Sequence, residues 1–122
     1  MGPVKDVIWI GSTKRDLTDA PESVRKTMGG AIFTAQLGGT SDLARPMHGD
    51  LRDVVEVRDR DEAGIYRLAY TTKIGAHVFV LDFFQKKSKW GSATPRDALD
   101  RIRLRLKKAR EIHAKEELSC RR

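Results

Sequence analysis

The chain has 122 residues and a formal net charge of +7, with 39% hydrophobic and 34% charged residues. This length builds one domain, so we expect a single domain over residues 1–122, of which 116–122 form a frayed tail. One cysteine excludes a disulfide framework within the chain, and no apolar stretch is long enough to span a membrane. The N-terminus lacks the layout of a signal peptide, so we expect a cytoplasmic protein without a membrane partner.

The positive charge is concentrated at the C-terminal end of the sequence. From Lys86 onward there are 13 basic and 5 acidic residues, whereas residues 1–85 carry a net charge of −1. A concentrated positive field attracts polyanions, so this distribution favours a nucleic acid as partner. A solvated basic helix, or a patch covered by an acidic protein, is the alternative.

The N-terminal part is predicted to form a strand followed by a helix. An apolar run at residues 7–10 indicates the strand, and Asp19 and Glu22 have the spacing of a capping box at the start of the helix. The pair Gly29-Gly30 interrupts the helix at a cost of about 1 kcal/mol per glycine relative to alanine, which indicates close packing or a bend. The predicted buried stripe consists of Val24, Met28, Ala31, Ile32 and Ala35.

The rest of the chain is predicted to contain three strands and a second helix. A loop over 40–50 precedes strands at 54–59, 65–72 and 77–84, which form an antiparallel meander. The last strand is apolar throughout and is placed at the centre, covered on both faces. Thr94 is predicted to cap a basic C-terminal helix. We therefore expect an α+β fold with a sheet of three to four antiparallel strands, the N-terminal helix packed on one face, and the basic helix following.

The alternation of side chains along these strands separates two kinds of residue. If Val57 and Leu68 face the first helix, then Glu56, Arg58 and Arg67 emerge together on the other face. The end of the third strand adds a segment of cations and one aromatic ring, namely Lys86, Lys87, Lys89 and Trp90. The sequence therefore predicts a group of cations around one concave surface.

Such a group of cations suits cleavage of an RNA phosphodiester by the adjacent 2′-hydroxyl. Fixed cations stabilise the charge of the pentacovalent transition state, and the protein has mainly to set the in-line geometry. A lysine whose pKa is lowered by cationic neighbours would act as base or acid, and Trp90 or Phe84 would stack on an unpaired base. No metal or cofactor is expected, because the single cysteine and the three histidines have no ligand spacing.

Each of these features also has a structural interpretation. Arg67 and Glu56 could form a cross-strand ion pair on a solvated sheet face. The lysines from Lys86 to Lys89 could protect the end of a strand, and Trp90 could cover the core.

Four segments of the chain carry a family pattern: residues 29–39, 55–58 and 66–70, and residues 78–89, which read Val-Phe-Val-Leu-Asp-Phe-Phe-Gln-Lys-Lys-Ser-Lys. With Thr94-Pro95 and the basic helix, they resemble the phage-derived HigB-like branch of the RelE toxin superfamily, found in type II toxin–antitoxin modules. The resemblance runs from about residue 7 to residue 110 and implies a small sheet with helices packed on one face. It also implies mRNA cleavage in the ribosomal A site and neutralisation by a cognate antitoxin, usually a helix-turn-helix DNA-binding protein.

The resemblance and the charge pattern together assign candidate site residues. Arg67 is similar to the family's strand arginine at the scissile phosphate, and Lys86 and Lys87 join it as catalytic candidates. The RNA-binding candidates are Arg58, Lys89, Trp90, Arg96 and Arg103, and the supporting candidates are Glu56 and Tyr70. We therefore expect a ribosome-dependent endoribonuclease toxin without a cofactor, with mRNA, the ribosome and an antitoxin as partners. The alternative is a catalytically inactive RNA-binding or protein-binding module of a phage or mobile element.

Overall fold

The computed structural model describes residues 3–86 and 93–120. In this part of the chain one sheet contains five strands: β1 (Asp6–Trp9), β2 (Ala44–Pro46), β3 (Val55–Asp61), β4 (Gly64–Thr71) and β5 (His77–Lys86). The helices are α1 (Thr13–Thr18), α2 (Glu22–Gln36) and α3 (Arg96–Cys120), and a 3₁₀ turn covers Gly49–Leu51. The α+β class is confirmed, but the sheet has five strands where three to four were expected.

The strand order across the sheet is β1-β5-β4-β3-β2. The predicted meander is confirmed, because β3, β4 and β5 pair antiparallel in sequence order. β2, within the predicted loop, adds to β3 at one edge, and β1 pairs parallel to β5 at the other. β5 is covered on both faces as predicted, but the middle strand is β4, in which every residue is buried.

Helix α2 packs on one face of the sheet. Its buried residues are the predicted stripe: Val24, Met28, Ala31, Ile32 and Ala35. They form one hydrophobic cluster with buried side chains from four strands, including Val57, Leu68 and Val80. The predicted capping box is wrong, because Asp19 ends α1, Pro21 occupies the N-cap of α2, and no side chain caps the helix.

Helix α3 packs on the opposite face of the sheet. Ile102, Leu106 and Ala109 form a second cluster with Phe79 and Leu81 of β5. The sheet is therefore covered by helices on both faces, which corrects the implied arrangement with helices on one face only. The helix continues to Cys120, so residues 116–120 are helical although a frayed tail was expected. None of the helices in the described residues has both the length and the apolarity that crossing a bilayer requires.

A β-bulge in β5 changes the direction of the side chains that follow it. Ala69 pairs with Asp82 while Tyr70 pairs with Val80, so Leu81 is the extra residue. A bulge shifts the alternation of side chains by one position. As a result both Leu81 and Asp82 lie on the face that α3 covers, and the Asp82 carboxylate faces the helix instead of the α2 cluster.

Candidate functional site

Three strand residues and one residue before α3 form a hydrogen-bonded group, here called the arginine cluster: Glu56, Arg58, Arg67 and Thr94. Arg58 Nε donates to Glu56 Oε1 at 2.8 Å, and Arg67 Nη1 lies 3.7 Å from the same oxygen. The Thr94 hydroxyl accepts from Arg67 Nη1 at 3.1 Å and donates to Glu56 Oε2 at 2.8 Å. The structure thus brings together Glu56, Arg58 and Arg67 on the face away from α2, as the alternation predicts.

Arg67 and Glu56 of the arginine cluster are almost completely buried, and Thr94, just before α3, bonds to both. Arg67 is 0% exposed and Glu56 is 3% exposed, whereas an open concave surface was expected. Burial lowers the pKa of the Arg67 guanidinium, the Glu56 charge counteracts that effect, and Arg58 adds to it. An arginine keeps its proton under such conditions, so Arg67 is a buried cation that neutralises Glu56.

Thr94 does not have the predicted capping role. Helix α3 begins at Arg96, after Pro95, whose carbonyl accepts the first helical bond from Leu99 at 3.0 Å. The Thr94 hydroxyl is instead used by Arg67 and Glu56. These two hydrogen bonds of Thr94 connect the segment just before α3 to the middle of the sheet.

A cleft of about 670 Å³ opens beside the arginine cluster, between β2, β3 and the start of α3. Its basic side chains are Arg45, Arg58 and Arg103, and Glu56 and Thr94 form part of its wall. The apolar part of the lining includes Leu43, Pro46, Met47, Leu51 and Leu99. Since Glu56 and Thr94 both contact Arg67, this buried cation lies directly behind the wall of the cleft.

The cations around the cleft are held in position by oxygen atoms. Arg45 Nη1 donates to the carbonyls of Asp42 and Ala44, each at 2.8 Å. Arg103 Nε donates to Asp50 at 2.7 Å, which raises the pKa of Arg103 and lowers the pKa of Asp50. The Arg58 side chain is 43% exposed, so it is the member of the arginine cluster that an anion in the cleft can reach.

A second ionic group, here called the Asp82 clamp, attaches α3 to β5. The buried Asp82 carboxylate accepts bonds from Arg101 Nε at 3.0 Å, from Arg101 Nη2 at 2.8 Å and from Arg105 Nη1 at 3.1 Å. These bonds raise the pKa of Arg101, whose guanidinium lies 5.8 Å from the centre of the Phe84 ring. Gly11, with φ +63, leaves room for Arg105, because a Cβ there would lie 2.9 Å from the guanidinium.

Sequence reasoning missed the Asp82 clamp, although two signals pointed to it. An aspartate inside the apolar run of β5 has to find a partner, because an unpaired buried charge is costly. Arg101 and Arg105 are spaced by one helical turn, which places both on one side of α3. The bulge at Leu81, which turns Asp82 towards them, leaves no mark in the sequence.

The remaining candidates fall in different places. Lys86 ends β5, and its Nζ donates to the Ala93 carbonyl at 3.2 Å. Arg96 is exposed at the first position of α3. Tyr70 is buried in the α2 cluster, on the other face of the sheet from the arginine cluster, and burial raises its pKa. Three candidates lie outside the described residues: Lys87, Lys89 and Trp90.

The part of the chain that the structure describes contains no set of side chains that could bind a metal ion. No three side chains of histidine, cysteine, aspartate or glutamate are grouped there so that they could share an ion.

Comparisons with known proteins place the chain in a family. No curated protein sequence matches it. The crystal structure of the toxin–antitoxin complex RelBE2 from Mycobacterium tuberculosis is similar at 19% identity and a TM-score of 0.49, over 72% of this chain and 98% of that chain. A sequence model described as "Phage derived protein Gp49-like (DUF891)" matches residues 15–107, which include most of α1, all of α2, the whole meander and about half of α3. The resemblance to a phage-derived branch is thereby confirmed, and the chain belongs to the Gp49-like family of phage-derived proteins.

Proposed function

We propose that this protein is the toxin of a type II toxin–antitoxin module and cleaves translated mRNA on the ribosome. The observation that carries the proposal is the arginine cluster in the wall of a cationic cleft. Arg58 reaches the cleft, and Arg67 provides a second fixed positive charge behind it. Support also comes from the sequence resemblance and from the basic excess after Lys86.

The proposed reaction uses the 2′-hydroxyl of the RNA as the nucleophile. The 2′-oxygen loses its proton and attacks the adjacent phosphorus, the P–O5′ bond breaks, and the products are a 2′,3′-cyclic phosphate and a 5′-hydroxyl that has taken up a proton. The pentacovalent transition state carries additional negative charge on its oxygens. Arg58 is suited to stabilise that charge because Glu56 holds its Nε at 2.8 Å, so little reorganisation is needed. Lys86, at the end of β5, and Lys87 after it are the proposed proton-transfer groups. The reaction requires no cofactor, because the nucleophile belongs to the substrate.

The proposed partners follow from the same surface. The ribosome and its mRNA present dense phosphate charge. Arg103 lines the same cleft as Arg58, and Arg96 is exposed at the start of α3, so both are proposed as further phosphate contacts. A cognate antitoxin, proposed to be a helix-turn-helix DNA-binding protein, would neutralise the toxin.

One observation favours a second candidate, a catalytically inactive RNA-binding module. Arg67 is 0% exposed, so a phosphate cannot touch it in this conformation. Arg101 and Arg105 are likewise tied to Asp82. In this alternative the exposed cations bind phosphates and no bond is broken.

Induced expression with primer extension on a translated reporter mRNA separates the two candidates. The wild type is compared with Arg58→Gln, and with Arg15→Gln as a matched control, an exposed arginine on α1, which packs in the same cluster as α2. We expect growth arrest and new mRNA 5′ ends for the wild type and the control, and neither for Arg58→Gln. Normal growth and intact mRNA with folded wild-type protein would leave the binding module as the function.

A further inference from the structure

Two glycines in the middle of α2 have no role within the described fold. Gly29 and Gly30 are both exposed, and a Cβ added to either would meet no described atom within 4 Å. The helix runs through them without a break, from Glu22 to Gln36. Glycine lowers helix stability relative to alanine, and no close packing among the described residues accounts for its presence here.

Large apolar side chains are exposed next to these glycines. Phe33 is 54% exposed and Leu37 is 51% exposed. The spacing of Gly29, Phe33 and Leu37, the C-cap residue of α2, by four residues places them along one side of the helix, opposite the buried stripe. We call Gly29, Gly30, Phe33 and Leu37 the glycine face of α2. Exposed apolar groups arranged together in this way are typical of an interaction surface.

We propose that the glycine face is the interface of a homodimer in which the α2 helices of two copies cross in antiparallel orientation at the glycines. The missing Cβ atoms let the two backbones approach closely. Phe33 of each copy then packs on the aliphatic stem of Lys26 of the other. A two-fold contact needs a self-complementary surface. The glycines leave space at the centre of this contact, and the Phe33 rings of the two copies lie on either side of it.

The charges of α2 fit the antiparallel arrangement. Arg25 and Lys26 lie in the first half of the helix, and its last turn contains no basic residue. Antiparallel pairing therefore places these cations beside the carbonyl end of the other helix, where positive charge is stabilising. Lys26 is available for this contact, because its 3.3 Å ion pair with Glu22 is exposed and weak.

The charge distribution of the whole chain also favours a second copy at this face. The basic helix α3 covers the opposite face of the sheet from α2. Residues 1–85 carry a net charge of −1, so contact through α2 keeps the two strongly basic C-terminal regions apart. Contact through α3 would bring those regions together and would be opposed by their repulsion.

Sedimentation velocity over a range of protein concentrations tests the proposal. The wild type is compared with Phe33→Glu and with the control Leu104→Glu, which alters a leucine that is 70% exposed on α3. We expect a concentration-dependent dimer for the wild type and the control, and a monomer for folded Phe33→Glu. A wild type that is monomeric at every concentration, or a dimer that Phe33→Glu leaves unchanged, overturns the proposal. So does a monomeric wild type whose binding to an antitoxin is lost in Phe33→Glu.

Gly30→Ala gives a second readout that a purely structural role would not produce. Alanine raises helix propensity, so we expect the melting temperature of the diluted, monomeric protein to rise. The new Cβ also separates the crossing helices, so we expect the dimer dissociation constant to increase roughly tenfold. A rise in melting temperature with unchanged dimerisation overturns the proposal.

Discussion

Removal of the Asp82 carboxylate is expected to destabilise the protein more than any surface substitution. Asp82 is 1% exposed and is the anion that both Arg101 and Arg105 use. Breaking a buried ion pair by removing one partner typically costs about 3–5 kcal/mol. Arg101 is 35% exposed and can recover some hydration, so we expect Asp82→Ala to lower the free energy of unfolding by about 3 kcal/mol.

Urea and thermal unfolding followed by circular dichroism measure this change. For a domain of this size, a loss of that magnitude corresponds to a fall in Tm of roughly 10 °C. Asp42→Ala, which removes an exposed carboxylate from the cleft, is the matched control and is expected to change the free energy of unfolding by less than about 0.5 kcal/mol. If Asp82→Ala stayed within 1 kcal/mol or so of the wild type, the clamp would not be what attaches α3 to β5.

Three further predictions concern titration and backbone strain. Burial raises the pKa of Tyr66 and of Tyr70, the two tyrosines of the chain, so ultraviolet difference spectra at pH 10 should show less tyrosinate in the folded than in the unfolded protein. The unfolded chain then ionises first, so the free energy of unfolding should fall as pH rises above 10, and equal tyrosinate in both states would contradict the burial. Arg103→Gln should raise the pKa of Asp50 towards its ordinary value in a carboxyl NMR titration, and an unchanged titration would mean that the pair does not form in solution. Gly75→Ala should lower the free energy of unfolding by about 1–2 kcal/mol, because Gly75 has φ +58 and a Cβ would lie 2.7 Å from the His113 ring of α3. Thermal unfolding measures this change, and an unchanged Tm would contradict it.

Long periodic segments of this fold could be predicted from the sequence, and short ones could not. The α2 stripe from Val24 to Ala35 repeats over several turns, and it is buried as predicted. Helix α1 has six residues and β2 has three, so neither is long enough to establish a period. Local bonds define α1 instead, such as the one from Ser12 to Asp16 at 2.7 Å. The spacing of Asp19 and Glu22 predicted a capping box that does not form, because Asp19 is the C-cap residue of α1.

The composition of the arginine cluster could be predicted, but its environment could not. Alternation along β3 and β4 correctly places Glu56, Arg58 and Arg67 on one face. Whether that face is open depends on where α3 returns, which is a long-range contact that a strand pattern does not contain. The burial of Arg67 and the connection through Thr94 therefore emerge only in the folded chain.

The most direct test of the proposed function is mRNA cleavage by the purified protein on translating ribosomes. Two reporter mRNAs are compared, one unmodified and one with a single 2′-deoxynucleotide on the 5′ side of the mapped cleavage position. We expect the wild type to cut the unmodified mRNA, to leave the 2′-deoxy mRNA intact at that position, and to lose cleavage in Arg58→Gln. Equal cleavage of both mRNAs would contradict the 2′-hydroxyl mechanism, and no cleavage of either by folded wild-type protein would contradict the assignment as a ribonuclease.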